Sequence, residues 1–147
     1  MHIIVAPDSY KDSLSARKAV SAIANGIRKA IPSAQWDECP MGDGGEGTLD
    51  ALIMATEAER RCETVSDSLG RPRLAEWGWH FVSRTAYIEL AEACGLQHLT
   101  PMERTAMHSC TYGVGELILT ALDAGAERII LMLGGSATND AGAGMLR

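Results

Sequence analysis

The sequence predicts an α/β protein whose strands run into glycine-rich loops and then into helices. Two short apolar runs, Met1-His-Ile-Ile-Val5 and Arg128-Ile-Ile-Leu-Met-Leu133, read as buried strands. Between them apolar residues recur at helical spacing. Glycine is plentiful (15 residues) and aromatic residues are scarce (5%), which suits tight strand-to-helix turns better than a β-sandwich. A chain of 147 residues has the length of one ordinary domain, enough to bury roughly 70% of its unfolded surface.

The elements follow in order. A strand over 2–6 leads to a helix in which Val20, Ile23, Ala24, Ile27 and Ile31 share a face, with Ser15 as N-cap and Pro32 as a stop. A short strand over 35–39 precedes Gly42-Asp-Gly-Gly-Glu-Gly47, and Leu49, Leu52, Ile53 and Thr56 then mark a second helix. Residues 61–66, 74–82 and 85–90 read as three strands of a β-meander, joined through Leu69-Gly-Arg-Pro72 and through a tight turn at Ser83-Arg84. Val114, Leu117, Ile118, Ala121 and Leu122 share the face of a further helix. Thr111 or Gly113 is expected to cap its start, Glu116 to sit in its first turn, and Gly125 to be its C′ residue. A last helix is expected to open after Asp140, although the chain stops soon afterwards at Arg147 and so reads as truncated.

Composition narrows the function. The formal net charge of −6 argues against a nucleic-acid-binding surface, which needs clustered Lys and Arg. The sequence shows no leader and no apolar run near the roughly 20 residues that span a bilayer, so a cytoplasmic protein without a membrane partner is expected. Cys39, Cys62, Cys94 and Cys110 lie far apart without metal spacing and read as plain thiols; His2, His80, His98 and His108 are equally scattered.

Three loops carry candidate chemistry. In Leu133-Gly-Gly-Ser-Ala-Thr-Asn-Asp140, Gly134 and Gly135 let backbone N–H groups approach a ligand, and Ser136, Thr138 and Asn139 add side-chain donors, a combination that suits phosphate. The same residues also satisfy a plain strand-to-helix turn capped by Asn139 or Asp140. Asp8, Ser9 and Lys11 follow the first strand at its carboxyl end, where ligands bind in open α/β sheets; Lys11 supplies a point charge, and the loop also fits an Asx-type turn with a solvated lysine.

Gly42-x-Gly44-x-x-Gly47 matches the dinucleotide fingerprint, yet Asp43 and Glu46 would set two carboxylates against the pyrophosphate. Asp43, Gly44, Gly45 and Glu46 better suit a polyol or a metal ion, or a cap on the following helix. No G-x-x-x-x-G-K-[ST] occurs, so the chain is not a P-loop kinase.

The ordered segments Ala6-Pro-Asp-Ser-Tyr-Lys11 with Ser13-Leu-Ser15, Asp43-Gly-Gly-Glu-Gly-Thr48, Ile88-Glu-Leu-Ala91 with Gly95-Leu96, Tyr112-Gly-Val-Gly-Glu-Leu117 and Leu133-Gly-Gly-Ser-Ala-Thr-Asn-Asp140 with Gly142-Ala-Gly-Met145 resemble the motifs of the bacterial, non-P-loop glycerate kinase family, over its N-terminal part only. The resemblance implies a Rossmann-like parallel sheet with helices, begun by residues 1–60. Residues 61–147 would then run from the β-meander into an incomplete α/β segment of a second, smaller part. It implies transfer of the ATP γ-phosphoryl group to a glycerate hydroxyl with Mg²⁺ neutralising charge. Lys11 and Asp140 become the catalytic candidates, Asp140 as a base or metal holder. Asp8, Ser9, Asp43, Gly44, Gly45, Glu46 and Arg71 are expected at the substrate, and Gly134, Gly135, Ser136, Thr138 and Asn139 at phosphate. The catalytic set would be incomplete and the fragment inactive alone. A dinucleotide-binding oxidoreductase and a non-catalytic small-acid-binding remnant are the other readings. Three departures stand out: Ala141 where the family has Asn-Asp-Gly-Gly, Arg104-Thr-Ala-Met107 where it has Arg-Asn-Pro or Arg-Asp-Pro, and Ser83-Arg84 where it has a Gly-Asp-Gly turn.

Overall fold

The computed structural model describes residues 1–11 and 13–147 and divides the chain into two compact units, Met1–Asp43 and Gly44–Arg147. In the first, strands β1 (His2–Val5) and β2 (Gln35–Glu38) pair in parallel, joined by helix α1 (Ala16–Ala30). Ser15 caps α1 as its sequence position predicts, accepting from the Lys18 N–H at 3.4 Å. The buried face is narrower than expected: Ala16, Ala19, Val20 and Ala24 are covered, whereas Ile23 and Ile31 stay largely exposed. Two strands and one helix offer too little surface to bury every isoleucine of that face.

The second unit holds helix α2 (Thr48–Thr56), strands β3 (Glu59–Ser66), β4 (Pro72–His80) and β5 (Thr85–Glu89), the short helix α3 (Leu90–Cys94), helix α4 (Tyr112–Asp123) and strand β6 (Arg128–Met132). The sheet order is β3-β4-β5-β6, with an antiparallel meander over the first three strands and β6 parallel to β5. The α/β class and the meander read from the sequence are therefore present, with α2 grouped beside the meander. The expected third strand ends at Glu89, because Leu90 already begins α3, a helix the alternating pattern concealed.

Alternation along β5 separates two cores. Ala86 and Ile88 face Trp77, Trp79, Val114, Leu117 and Ala121, while Tyr87 packs with Leu49, Ala58 and Met132 beneath α2. At the end of α4 the Gly125 N–H donates to the Leu122 carbonyl at 2.9 Å and the Ala126 N–H to the Ala121 carbonyl at 3.0 Å, with Gly125 at φ 89. That pairing is the double bond of a Schellman cap, so Gly125 fills the expected C′ position.

The start of α4 differs from expectation. Glu116 lies beyond the first turn and accepts from the Ser66 N–H at 2.6 Å, tying the helix to β3 instead of capping it. No helix follows Asp140; residues 141–146 form turns. We expect Gly125→Ala to lower stability by about 1–2 kcal/mol, since an L side chain must then hold the left-handed turn; urea unfolding measures it, and an unchanged midpoint would show that this cap does not depend on glycine.

Candidate active site

Parallel pairing of β5 with β6 places Glu89 opposite Met132, so the loops that follow both strands leave from the same edge of the sheet. Beyond Met132 the Gly134 N–H donates to the Gly44 carbonyl at 2.7 Å, and a Cβ at Gly134 would lie 2.5 Å from the Gly45 backbone. Two glycine loops remote in sequence thus meet through bare backbone. On its other side the 134–138 loop is stitched to the end of α3: Leu96 N–H donates to the Gly135 carbonyl at 3.0 Å and Ala137 N–H to the Cys94 carbonyl at 2.9 Å.

These bonds revise the part expected of Gly134, whose amide is committed to seating the loop and is no longer a donor for phosphate. Among the described residues, no group takes the N–H of Gly135 or Ser136. Ser136 and Thr138 hydroxyls lie 2.8 Å apart, and the Thr138 N–H donates to Ser136 Oγ at 3.0 Å, which fixes both side chains; Asn139 is exposed. The loop therefore presents backbone donors beside two ordered hydroxyls at the carboxyl end of a strand.

Asp140 is spent inside the protein. Its Oδ2 accepts from the Thr111 N–H (2.8 Å), the Thr111 hydroxyl (2.8 Å) and the Gly144 N–H (3.0 Å), and its Oδ1 from the Gly142 N–H at 3.2 Å. Burial alone would push its carboxyl up, but the Thr111, Gly144 and Gly142 bonds outweigh that and hold it below the usual range. A carboxylate so held is a poor proton acceptor. The structure thus corrects the expected role of Asp140 as a base or metal holder: it satisfies the start of α4 in place of the Thr111 side chain, whose hydroxyl donates to it.

Beside it a cavity of about 680 Å³ opens, lined in part by Gly70, Cys110, Tyr112 and Arg147. The backbone after Asp140 is left-handed at Ala141 (φ 52), so the departure noted in the sequence falls in a turn and not in a helix.

The residue sequence reasoning missed is Glu89. It is 1% exposed at the end of β5, and its Oε1 and Oε2 accept from the Gly47 N–H (3.2 Å) and the Leu49 N–H (2.9 Å) at the start of α2. Burial drives its carboxyl up to about 7; the Leu49 and Gly47 bonds pull the other way, and the charges of Glu92 and Asp50 push it further up. The available signal was an acidic residue closing an otherwise apolar strand. Glu89 also bears on the dinucleotide fingerprint, because the N–H groups that would cradle a pyrophosphate at this helix start already hold a carboxylate.

The remaining candidates separate. Glu46 and Asp43 are exposed, Gly44 is half-buried and Gly45 buried. Arg71 sits in the turn between β3 and β4, paired with Asp67 and with Glu103, each at 2.6 Å, so its charge is already neutralised. In the first unit the Ser9 N–H donates to Asp8 Oδ1 at 2.5 Å, a contact to the adjacent residue and not the two-residue span of an Asx turn, and Lys11 is exposed; Asp12 of that loop lies outside the described residues. All four cysteines are free, and burial pushes the Cys94 thiol up to about 12, which makes it inert as a nucleophile. Among the described residues no three or more His, Cys, Asp or Glu side chains gather to hold a metal ion, and no helix is long and apolar enough to cross a membrane.

A glycine loop at the carboxyl end of a parallel strand, braced by a second glycine loop, is an α/β arrangement, and in open α/β sheets ligands bind at that edge. The chain belongs to the glycerate kinase family, whose model matches residues 3–147. It is 47% identical over its whole length to a glycerate 2-kinase of Escherichia coli K12 and 49% identical to a glycerate kinase of Bacillus subtilis 168, spanning 39% and 38% of those proteins. A crystal structure of a Salmonella typhimurium LT2 protein assigned as glycerate kinase 2 superposes with a TM-score of 0.81 at 46% identity, covering 99% of this chain and 39% of that one.

Two outcomes follow from the Asp140 geometry. Asp140→Asn should cost about 2 kcal/mol, the scale of lost charge-assisted hydrogen bonds. Because the folded carboxyl is held below its ordinary value, that contribution is full above the ordinary range and disappears as pH falls through the folded value; unfolding curves of both proteins should converge in acid. Ala141→Gly should instead stabilise by about 0.5–1 kcal/mol, relief of left-handed strain less the extra chain entropy of glycine. A lower melting temperature in that variant would refute the turn geometry.

Proposed function

We propose that the chain forms the N-terminal part of an ATP-dependent glycerate kinase, which moves the γ-phosphoryl group of ATP to a glycerate hydroxyl and releases ADP and phosphoglycerate. The observation that carries this reading is the pair of uncommitted N–H groups at Gly135 and Ser136, set beside the Ser136 and Thr138 hydroxyls at the end of β6. Phosphoryl transfer demands little covalent work from a protein and much positioning and charge stabilisation, which fixed backbone dipoles supply. The names of the relatives favour glycerate as the acceptor.

In this reading Gly135, Ser136, Thr138 and Asn139 contact phosphate, and Gly134 seats them. Within the first unit Lys11 is the candidate for negative charge and Asp8, Ser9 and Asp43 for hydroxyls; within the second, Gly44, Gly45 and Glu46 are the candidates for the substrate. Arg71 and Asp140 act by positioning, since their charged groups are held within the protein. The described side chains do not form a cage for Mg²⁺, so the family's expected Mg²⁺ is assigned no step.

The test is glycerate-dependent ADP release from a polypeptide of the relatives' length that contains this segment, run beside the 147 residues alone, for which no turnover is expected. In the longer protein Lys11→Ala should lower kcat/KM about 10- to 100-fold, the equivalent of roughly 1.5–3 kcal/mol of charge-assisted contact, at unchanged melting temperature. Unchanged turnover and KM would remove Lys11 from the site, and saturable NAD binding would favour the oxidoreductase.

A further inference from the structure

We propose that Glu89 is a positioning residue: by holding the start of α2 it fixes the 44–47 loop, and through that loop the placement of the 134–138 loop. The functional meaning of this spacing rests on the reading of those loops as a phosphate and substrate site; the spacing itself does not.

The bonds form a closed circuit. Glu89 and Met132 are opposite one another in the parallel β5–β6 pair. From β5 the Glu89 carboxylate grips the Gly47 and Leu49 N–H groups; the Thr48 N–H then donates to the Gly45 carbonyl at 3.1 Å and the Gly44 N–H to Thr48 Oγ1 at 3.0 Å, so the loop is folded back on the helix start. From β6 the chain passes Leu133, and Gly134 returns to the Gly44 carbonyl at 2.7 Å. Within this circuit the Glu89 side chain is the link from β5 to the start of α2, and the other links are short-range or backbone. An apolar residue at 89 would leave the Gly47 and Leu49 N–H groups without their acceptors and open the circuit at its link from β5.

Protonation tests the same bridge without mutation. Two acidic groups act on Glu89, Glu92 of α3 and Asp50 of α2; Arg73 of β4 donates from Nε to the Glu92 carbonyl at 2.7 Å, Arg60 of β3 pairs with Asp50 and with Glu76 of β4, and Glu92 accepts from the Glu76 N–H at 3.1 Å. With its carboxyl raised from 4.5 to about 7, Glu89 changes charge in an accessible range. The ionised form makes the stronger hydrogen bonds yet suffers the burial, so overall stability is full below the ordinary value and declines as pH rises through 7.

The experiment is amide NMR and hydrogen exchange on the 147-residue chain, which needs neither ligand nor turnover. In the unmutated protein the Gly47, Leu49 and Gly134 amide shifts should titrate together with one midpoint near 7. In Glu89→Gln, Gly134 exchange should accelerate about tenfold or more along with Gly47 and Leu49, while amides within α4 are unchanged. Glu92→Gln, which leaves both Glu89 bonds in place, should change Gly134 exchange less than about twofold.

Faster exchange at Gly47 and Leu49 with Gly134 unaffected would overturn the proposal and reduce Glu89 to a local cap. If Glu89→Gln does not fold, the unmutated titration decides alone: a Gly134 shift that does not share the Gly47 midpoint overturns it equally. Failure of ATP to bind would count against the kinase reading while leaving this result intact.

Discussion

Every residue of β5 is buried, and the second unit is organised by that constraint. A strand covered on both faces and hydrogen-bonded on both edges must satisfy its neighbours simultaneously. β4 arrives antiparallel through a tight turn, β6 lies parallel after the long excursion through α3 and α4, and the helices close the two faces. Parallel pairing on one side sends the chain out of β5 and β6 at the same edge. Alternation then decides which side chain ends up where: Ile88 joins the tryptophan core, and Glu89 points to the side on which α2 begins.

The net charge of −6 is compatible with an edge suited to anions because several carboxylates are turned inward onto N–H groups. Glu89 takes the start of α2, Asp140 the start of α4, Asp67 the turn before β4, and Glu116 the Ser66 amide at the end of β3. Each satisfies donors that a helix or turn would otherwise leave bare. The segment from Gly134 to Asn139 carries no carboxylate, so the N–H groups of Gly135 and Ser136 face none from their own segment. Charge balance over the whole molecule says little about such a site; the local assignment of each carboxylate decides it.

Periodicity made most of the fold legible, because apolar strands and helix faces announce the burial that stabilises them. The Ser15 cap, the Gly125 turn and the direct run of β6 into a glycine loop follow from residue type at a known place in an element. What remained hidden was long-range. Locally Glu89 is marked only as an acidic residue closing an apolar strand, and the fold alone shows that α2 presents its N–H groups there. For the same reason Asp140 reads as a base or metal holder in sequence and as a hydrogen-bond acceptor within the protein in three dimensions, and Gly134 as a ligand contact where the structure needs its amide for Gly44. Short α3 escaped because a five-residue helix directly following a strand leaves no helical period to detect.

Two of the family departures meet the same backbone problem and resolve it differently. Arg84 stands at φ 48 in the β4–β5 turn, a conformation glycine adopts freely, and Ala141 at φ 52 after Asp140. Arg84 offsets its strain: its Nε donates to the Gly125 carbonyl at 2.9 Å, its Nη1 pairs with Glu127 at 2.7 Å, and its own carbonyl accepts from the Glu127 and Arg128 N–H groups as β6 begins. A glycine at 84 would relax the turn but lose the side-chain tie between the meander and the end of α4. Ala141 has no side chain with which to make such a tie, and its turn is held by the hydrogen bonds of the preceding Asp140 carboxylate instead. The strain at 141 is therefore sustained by the residue beside it, which links the backbone after the glycine loop to the start of α4 through a single carboxylate.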